Sequence, residues 1–357
     1  MYYMIARKIG IFFDSAYQNK FGTVGMDVLA QPSSRTEFQN AASCISVFYT
    51  KEFLTDGCMN DGDIYYSGNR FVDLKLGVQI DRDGDRGFIL RANQDCPEWF
   101  MCMLEVTMLR AGVTFAHCAA LEKDGEALFM PARGGVGKTA TVVRMVQNHG
   151  WKLLGDDLVL LDRDTRSVFP FLKKFVIYGY HKDLFPRFFE KGKGPVRNNG
   201  LSHIMTRMIP AAKKVLRHVP GLLAYAREHN PQQIRVYPKD IFRPEELSSC
   251  AGTIRRTVWL ERTAAGDVRF VPCDAGTIAS RCAAVTLSEL TYGSMNLNDC
   301  LFTMCGSGMI RFDEIYNRIY DIVKTCVESS DLYILSIPKS VDINHVSDVV
   351  FEKVSVE

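Results

Sequence analysis

The chain of 357 residues contains no apolar run approaching the ~18 residues that a membrane-spanning helix needs. Its start, from Met1 to Phe13, carries Arg7 and Lys8 in the middle and has no clean apolar stretch, so it does not read as a signal peptide. It has almost no net charge: 43 Lys and Arg against 41 Asp and Glu leave +2. The charge balance speaks against a globally basic nucleic-acid binder while leaving room for a local basic patch, and no nucleic-acid partner is expected. No two of the 11 cysteines have C-x-x-C spacing, and no His lies near enough to Cys300 and Cys305 to complete a zinc pattern. Free, buried thiols are expected, which suits a cytoplasmic location. There is no Pro/Ser-rich linker, no internal repeat and no N-K-x-D sequence, so a guanine-specific switch is not indicated.

What is present is core material. Apolar residues make up 47% and charged residues 24%, enough to bury a core and to exclude a disordered chain. Residues 1–95 look strand-rich. Asp63–Tyr66 and Phe71–Ile80 flank Ser67-Gly68-Asn69, a hairpin signal. Asp81, Asp83 and Asp85 alternate as at the start of a calcium loop. Arg86 and Ala92 stand where such a loop needs Gly and Glu, so a hairpin turn is expected instead. Glu98–Arg110 has Trp99, Met103, Val106 and Leu109 at helical spacing.

From Val113 onward the order is strand, turn, strand, glycine-rich loop, helix, strand, which indicates an α/β core. Val113–Leu121 reads as one strand, and the helix is expected from Lys138 to about Asn148. Residues 182–243 hold thirteen Lys and Arg against four Asp and Glu, and Ala211–Glu228 reads as a helix within this basic insertion. The insertion fits a lid over anionic phosphates, a dock for an acidic substrate, or a solvated face. Residues 96–340 form the expected core, and 341–357 a C-terminal tail.

The strongest chemical signal is Gly134-Gly135-Val136-Gly137-Lys138-Thr139, between a strand and a helix. Glycines let backbone N–H groups converge on phosphate oxygens, and the helix N-terminus adds partial positive charge. Lys138 would reach the β- and γ-phosphates, and the Thr139 hydroxyl would ligate Mg²⁺. Ala132 stands where the full pattern has Gly, and a positive φ there would be strained. Asp156-Asp157 follows Lys138 by one helix and one short strand, which puts the pair at the strand end where α/β sheets bind ligands. Two adjacent carboxylates can divide metal binding from proton acceptance. His117 lies on the strand preceding the loop strand. Arg255 and Arg256 open a later strand and are candidates to reach transferred phosphate.

The stretches Phe115–Leu121, Gly134–Thr139 and Gly150–Leu160 together resemble the HPr kinase/phosphorylase family and its relatives of the phosphoenolpyruvate carboxykinase-like superfamily. The likeness extends weakly to Tyr180 and to Val236–Phe242. It implies a phosphoenolpyruvate carboxykinase-like P-loop core with ATP and Mg²⁺ as cofactors. Implied site residues are His117, Lys138, Asp156 and Asp157 for catalysis, Gly134, Gly135, Val136, Gly137, Lys138 and Thr139 for nucleotide, and Thr139 and Asp157 for metal. Which of the two Asp residues is base and which is ligand stays open. The expected activity is phosphorylation of a hydroxyl on a peptide or protein serine or threonine. A small-molecule hydroxyl kinase and a non-catalytic, nucleotide-responsive binding module are the alternatives. A homo-oligomer is compatible with the resemblance.

Overall fold

The alternating apolar positions of the first 92 residues build one sheet, and the residues from Val113 build a second. The computed structural model describes residues 1–21, 30–189, 233–289, 291–292, 295–342 and 345–355. The expected helix Ala211–Glu228, and most of the basic insertion, lie outside these residues.

The first sheet has nine strands: β1 (Tyr2–Ile5), β2 (Ile9–Phe13), β3 (Gln31–Ser33), β4 (Ser43–Tyr49), β5 (Met59–Asp61), β6 (Ile64–Ser67), β7 (Arg70–Asp73), β8 (Val78–Asp83) and β9 (Gly87–Ala92). Their order is β3-β1-β2-β4-β9-β8-β7-β6-β5. Pairing is parallel for β2/β4 and β4/β9 and antiparallel elsewhere. Two short helices accompany it, α1 (Ser15–Phe21) and α2 (Arg35–Asn40). Asp81, the first of the alternating Asp residues, stands at the expected hairpin. It is buried on β8, paired with Arg70 and Arg91, and the β8–β9 turn runs over Gly84 with φ +54°.

The second sheet is mixed. It contains β10 (Val113–Ala116), β11 (Cys118–Lys123), β12 (Glu126–Pro131), β13 (Lys152–Gly155), β14 (Val159–Asp162) and β15 (Ser167–Phe169). A two-stranded ribbon follows, β16 (Phe175–Tyr178) with β17 (Gln233–Val236). The sheet then resumes with β18 (Gly252–Thr263) and β19 (Arg269–Pro272). After a short pair, β20 (Thr291–Tyr292) and β21 (Met295–Asn296), comes β22 (Asp331–Pro338). β18 is the spine: β12 and β22 lie parallel to it.

Helices cover both faces of this sheet. They are α3 (Pro97–Arg110), α4 (Lys138–His149), α5 (Ala275–Ser288), α6 (Asn298–Gly306), α7 (Phe312–Val327) and α8 (Val346–Ser355). Alternation along β12 explains the two layers. Ala127 and Phe129 join the core shared with α3, α5 and α7, whereas Leu128 and Met130 join the core under α4 and α8.

Three elements depart from the sequence expectation. The strand expected over Val113–Leu121 is two strands broken at His117: β10 pairs with β14, and β11 pairs with β12 and β13. α3 is buried all round, with every residue from Trp99 to Leu109 inside, because it lies between the first sheet, β10, α6 and α7. The stretch expected as a tail carries α8, whose Val346, Val350 and Val354 seat it on α4.

Candidate active site

β12 delivers the chain to the glycine loop, and α4 carries it away. Ala132 keeps the extended course of the strand. It pairs with Leu260 of β18, is buried, and is not among the residues with left-handed backbone. Alanine is thus unstrained where the full motif has glycine. The left-handed positions are Gly135 (φ +77°) and Gly137 (φ +102°). Gly137 is doubly constrained, because an added Cβ would stand 3.0 Å from Val346 of α8.

Lys138 opens α4 and folds back over the loop, 6% exposed. Its Nζ donates to the carbonyls of Ala132 at 3.0 Å and Arg133 at 2.9 Å. Burial pushes its ammonium below the ordinary lysine range. Thr139 Oγ1 donates to Asp156 Oδ2 at 2.7 Å.

The acidic pair sits in the turn after β13. Gly155 is required there: an added Cβ would meet the Leu158 carbonyl at 2.8 Å. The turn twists Asp157 to φ +74°, a costly conformation for a residue with a side chain. It also sends the two carboxylates to different partners. Asp156 is buried beside Thr139, and its Oδ1 has no hydrogen-bond partner among the described residues. Burial, then the neighbouring Asp157, raises its pKa. Asp157 Oδ1 lies 2.6 Å from His117 Nε2, and its Oδ2 lies 2.5 Å from Lys173 Nζ. Burial opposes its charge, yet Lys173 and His117 hold the carboxyl well below the usual range.

His117 occupies the break between β10 and β11. Its Nδ1 is 3.0 Å from Glu289 Oε2, and Lys138 Nζ is 3.5 Å from its Nε2. Glu289, at the C-cap of α5, also accepts the Gly134 N–H at 3.4 Å.

The structure therefore brings together His117, Lys138, Thr139, Asp156 and Asp157. It does not bring Arg255 or Arg256 to them. Arg255 is exposed, and Arg256 is tied to the Val354 carbonyl and to Asp331, beside Leu128 and well back along β12 from the loop. Two site residues were not legible in the sequence. Lys173 lies in the irregular stretch after β15, and Glu289 is 155 residues from its loop partner.

Two cavities flank the loop. One, about 160 Å³, is lined by Lys138, Thr139, Asp156, Asp157, Lys173 and Lys174 together with the β16 ribbon. His181 lies at its side, where burial lowers its pKa to about 4. The other, about 500 Å³, lies on the opposite flank between Gly134–Val136, Trp259–Arg262 and α5. No cluster of metal-ligating side chains beyond carboxylate pairs is present among the described residues. None of the described helices is long and apolar enough to cross a membrane. Comparison with protein-family models finds none that matches the chain, and comparison with curated proteins finds no match either.

Proposed function

We propose that the chain is a Mg²⁺-dependent phosphotransferase that moves the terminal phosphoryl group of ATP to a hydroxyl. The observation that carries this reading is the Thr139–Asp156 contact at 2.7 Å, beside a buried carboxylate oxygen with no partner among the described residues. A hydroxyl and a carboxylate joined at the start of a phosphate-loop helix are hard oxygen donors, which suit Mg²⁺. Thr139 and Asp156 would hold the ion, which would neutralise developing phosphate charge when bound. Asp157, implied as a metal ligand by the resemblance, pairs with His117 and Lys173 through its two oxygens, and we assign it the proton-accepting role instead.

The loop N–H groups and the α4 N-terminus would bind the phosphates. Lys138 now rests on two carbonyls and would exchange them for phosphate oxygens. Lys173 lines the cleft beside Asp157, so an incoming phosphate can draw it off. Asp157, oriented by His117, then accepts the hydroxyl proton. A weakly basic carboxylate suffices, since that proton becomes acidic only as the new P–O bond forms. The 500 Å³ cavity gives the nucleoside a place, with Trp259 and Arg281 in its wall.

The acceptor enters from the Asp157 side. A peptide or protein serine or threonine is the first reading. A small-molecule hydroxyl is the second, and the modest 160 Å³ of the cleft favours it. Titration calorimetry with ATP tests the metal assignment. Binding should tighten with Mg²⁺ in the wild type, and Asp156→Asn should remove that Mg²⁺ effect. Equal Mg²⁺ enhancement in both proteins would overturn it.

A further inference from the structure

Far from the glycine loop, four arginines converge on a cavity of about 140 Å³ where the first sheet meets the helical layer. Arg82 comes from β8, and Arg110 is the last residue of α3. Arg311 is the N-cap of α7 and Arg318 lies two turns into it, with Glu314 between them and Gly308 in the loop that leads to them.

The acidic neighbours do not balance this cluster. Arg318 is bound to Glu314 at 2.8 Å, and Arg311 to Asp313 at 2.6 Å. That leaves Arg82 and Arg110 without an ion pair among the described residues. Arg110 lies over the Phe88 ring at 4.8 Å, and its Nη1 is buried with no hydrogen-bond partner among the described residues. Burial, then Arg82, lowers the pKa of Arg110; Glu314 and Asp85 act the other way, and Arg318 adds to the repulsion. A guanidinium stays charged at any ordinary pH, so this repulsion cannot be relieved by losing a proton. An oxyanion relieves it, since guanidinium forks match phosphate oxygens in geometry and charge.

We propose that this cavity is a binding site for a phosphate-sized oxyanion, held chiefly by Arg82 and Arg110 at the junction of the first sheet with α3 and α7. The cavity has room for a phosphate-sized ion with attendant water. The proposal is independent of the phosphotransferase reading, because it shares no residue with the glycine-loop site.

Calorimetry with inorganic phosphate, against chloride at matched ionic strength, tests it. Phosphate should bind the wild type and also Lys138→Ala, in which the loop site is disabled. Arg82→Gln and Arg110→Gln should each weaken phosphate at least about tenfold while leaving Mg·ATP binding unchanged. In the absence of phosphate, Arg82→Gln should melt no lower than wild type, since it removes a repelling charge. Arg82 is half-buried on a strand, so this variant keeps the test decisive if Arg110→Gln fails to fold. Ethyl phosphate in place of phosphate separates two supporting results: equal affinity indicates a phosphomonoester, weaker affinity the free ion. The proposal is overturned if phosphate acts no differently from chloride. It is also overturned if the phosphate response disappears in Lys138→Ala and persists in Arg82→Gln.

Discussion

At the scale of single residues, two neighbouring carboxylates are driven apart by their surroundings. Asp156 is buried without enough partners, and its pKa is raised. Its charge therefore destabilises the ligand-free fold as pH rises through that raised value. Asp157 is the reverse case: its pairing with Lys173 and His117 stabilises the fold above the ordinary carboxylate pKa and is lost as pH falls well below it. Asp156→Asn should accordingly raise the melting temperature near pH 7 by a few degrees while reducing turnover at least about 100-fold. A variant that melts lower at pH 7 would contradict this account of Asp156. Mg²⁺ affinity should also weaken as pH falls into the acidic range, because protons and metal compete for the same carboxylate. A pH series of Mg²⁺ titrations measures this directly.

The legibility of the site at this scale divides by distance along the chain. Lys138, Thr139 and the acidic pair were readable because one helix and one strand separate them, and that spacing is a geometric statement. Lys173 and Glu289 were not, since nothing near them in sequence marks a partner. The direction of each carboxylate was also hidden. It depends on the left-handed turn at Asp157, and positive φ at a non-glycine residue leaves no local signature.

At the scale of elements, the loop, α4 and α8 act together. Gly137 must be left-handed, and Val346 of α8 closes the space beside it. Gly137→Ala should cost about 1–3 kcal/mol in stability and weaken ATP binding more than Gly135→Ala, whose Cβ would meet open space. Equal losses in the two variants would show that α8 does not brace the loop. The turn between β11 and β12 and the α4 limits were legible from local chemistry. Asp124 and Gly125 both adopt positive φ there, at +54° and +84°. α8 was not legible, because its short stripe of valines gains meaning only against α4. The break at His117 was hidden for a related reason. Both halves are apolar, and only the different partners of β10 and β11 separate them.

At the scale of the whole molecule, α3 joins the two sheets. Its apolar spacing suggested one buried face, yet its surroundings bury all of it. Leu104 has no exposed surface, so Leu104→Ala should cost about 2–5 kcal/mol. Both sheets should then lose stability in one coincident transition. Trp99, stacked on Phe71, reports the first sheet, and Trp151, beside the α4 end, reports the second. Single-tryptophan variants unfolding at the same denaturant concentration would support a shared core, and separated midpoints would contradict it. The mixed α/β class followed from the order of strands and helices, but the nine-stranded first sheet did not. Its parallel β2/β4 and β4/β9 pairs join segments that sequence order alone leaves unpaired.

All of these scales meet in one claim, that Thr139, Lys138 and the Asp156–Asp157 pair form a phosphoryl-transfer site. Its most direct test is Mg²⁺-dependent transfer of label from γ-labelled ATP to a pool of serine-containing peptides and small polyols. Wild type would be compared with Lys138→Ala and with Asp156→Asn/Asp157→Asn. The account predicts label on an acceptor for the wild type alone. If all three proteins bind ATP alike and none transfers label, the claim is contradicted, and the site binds nucleotide without turning it over.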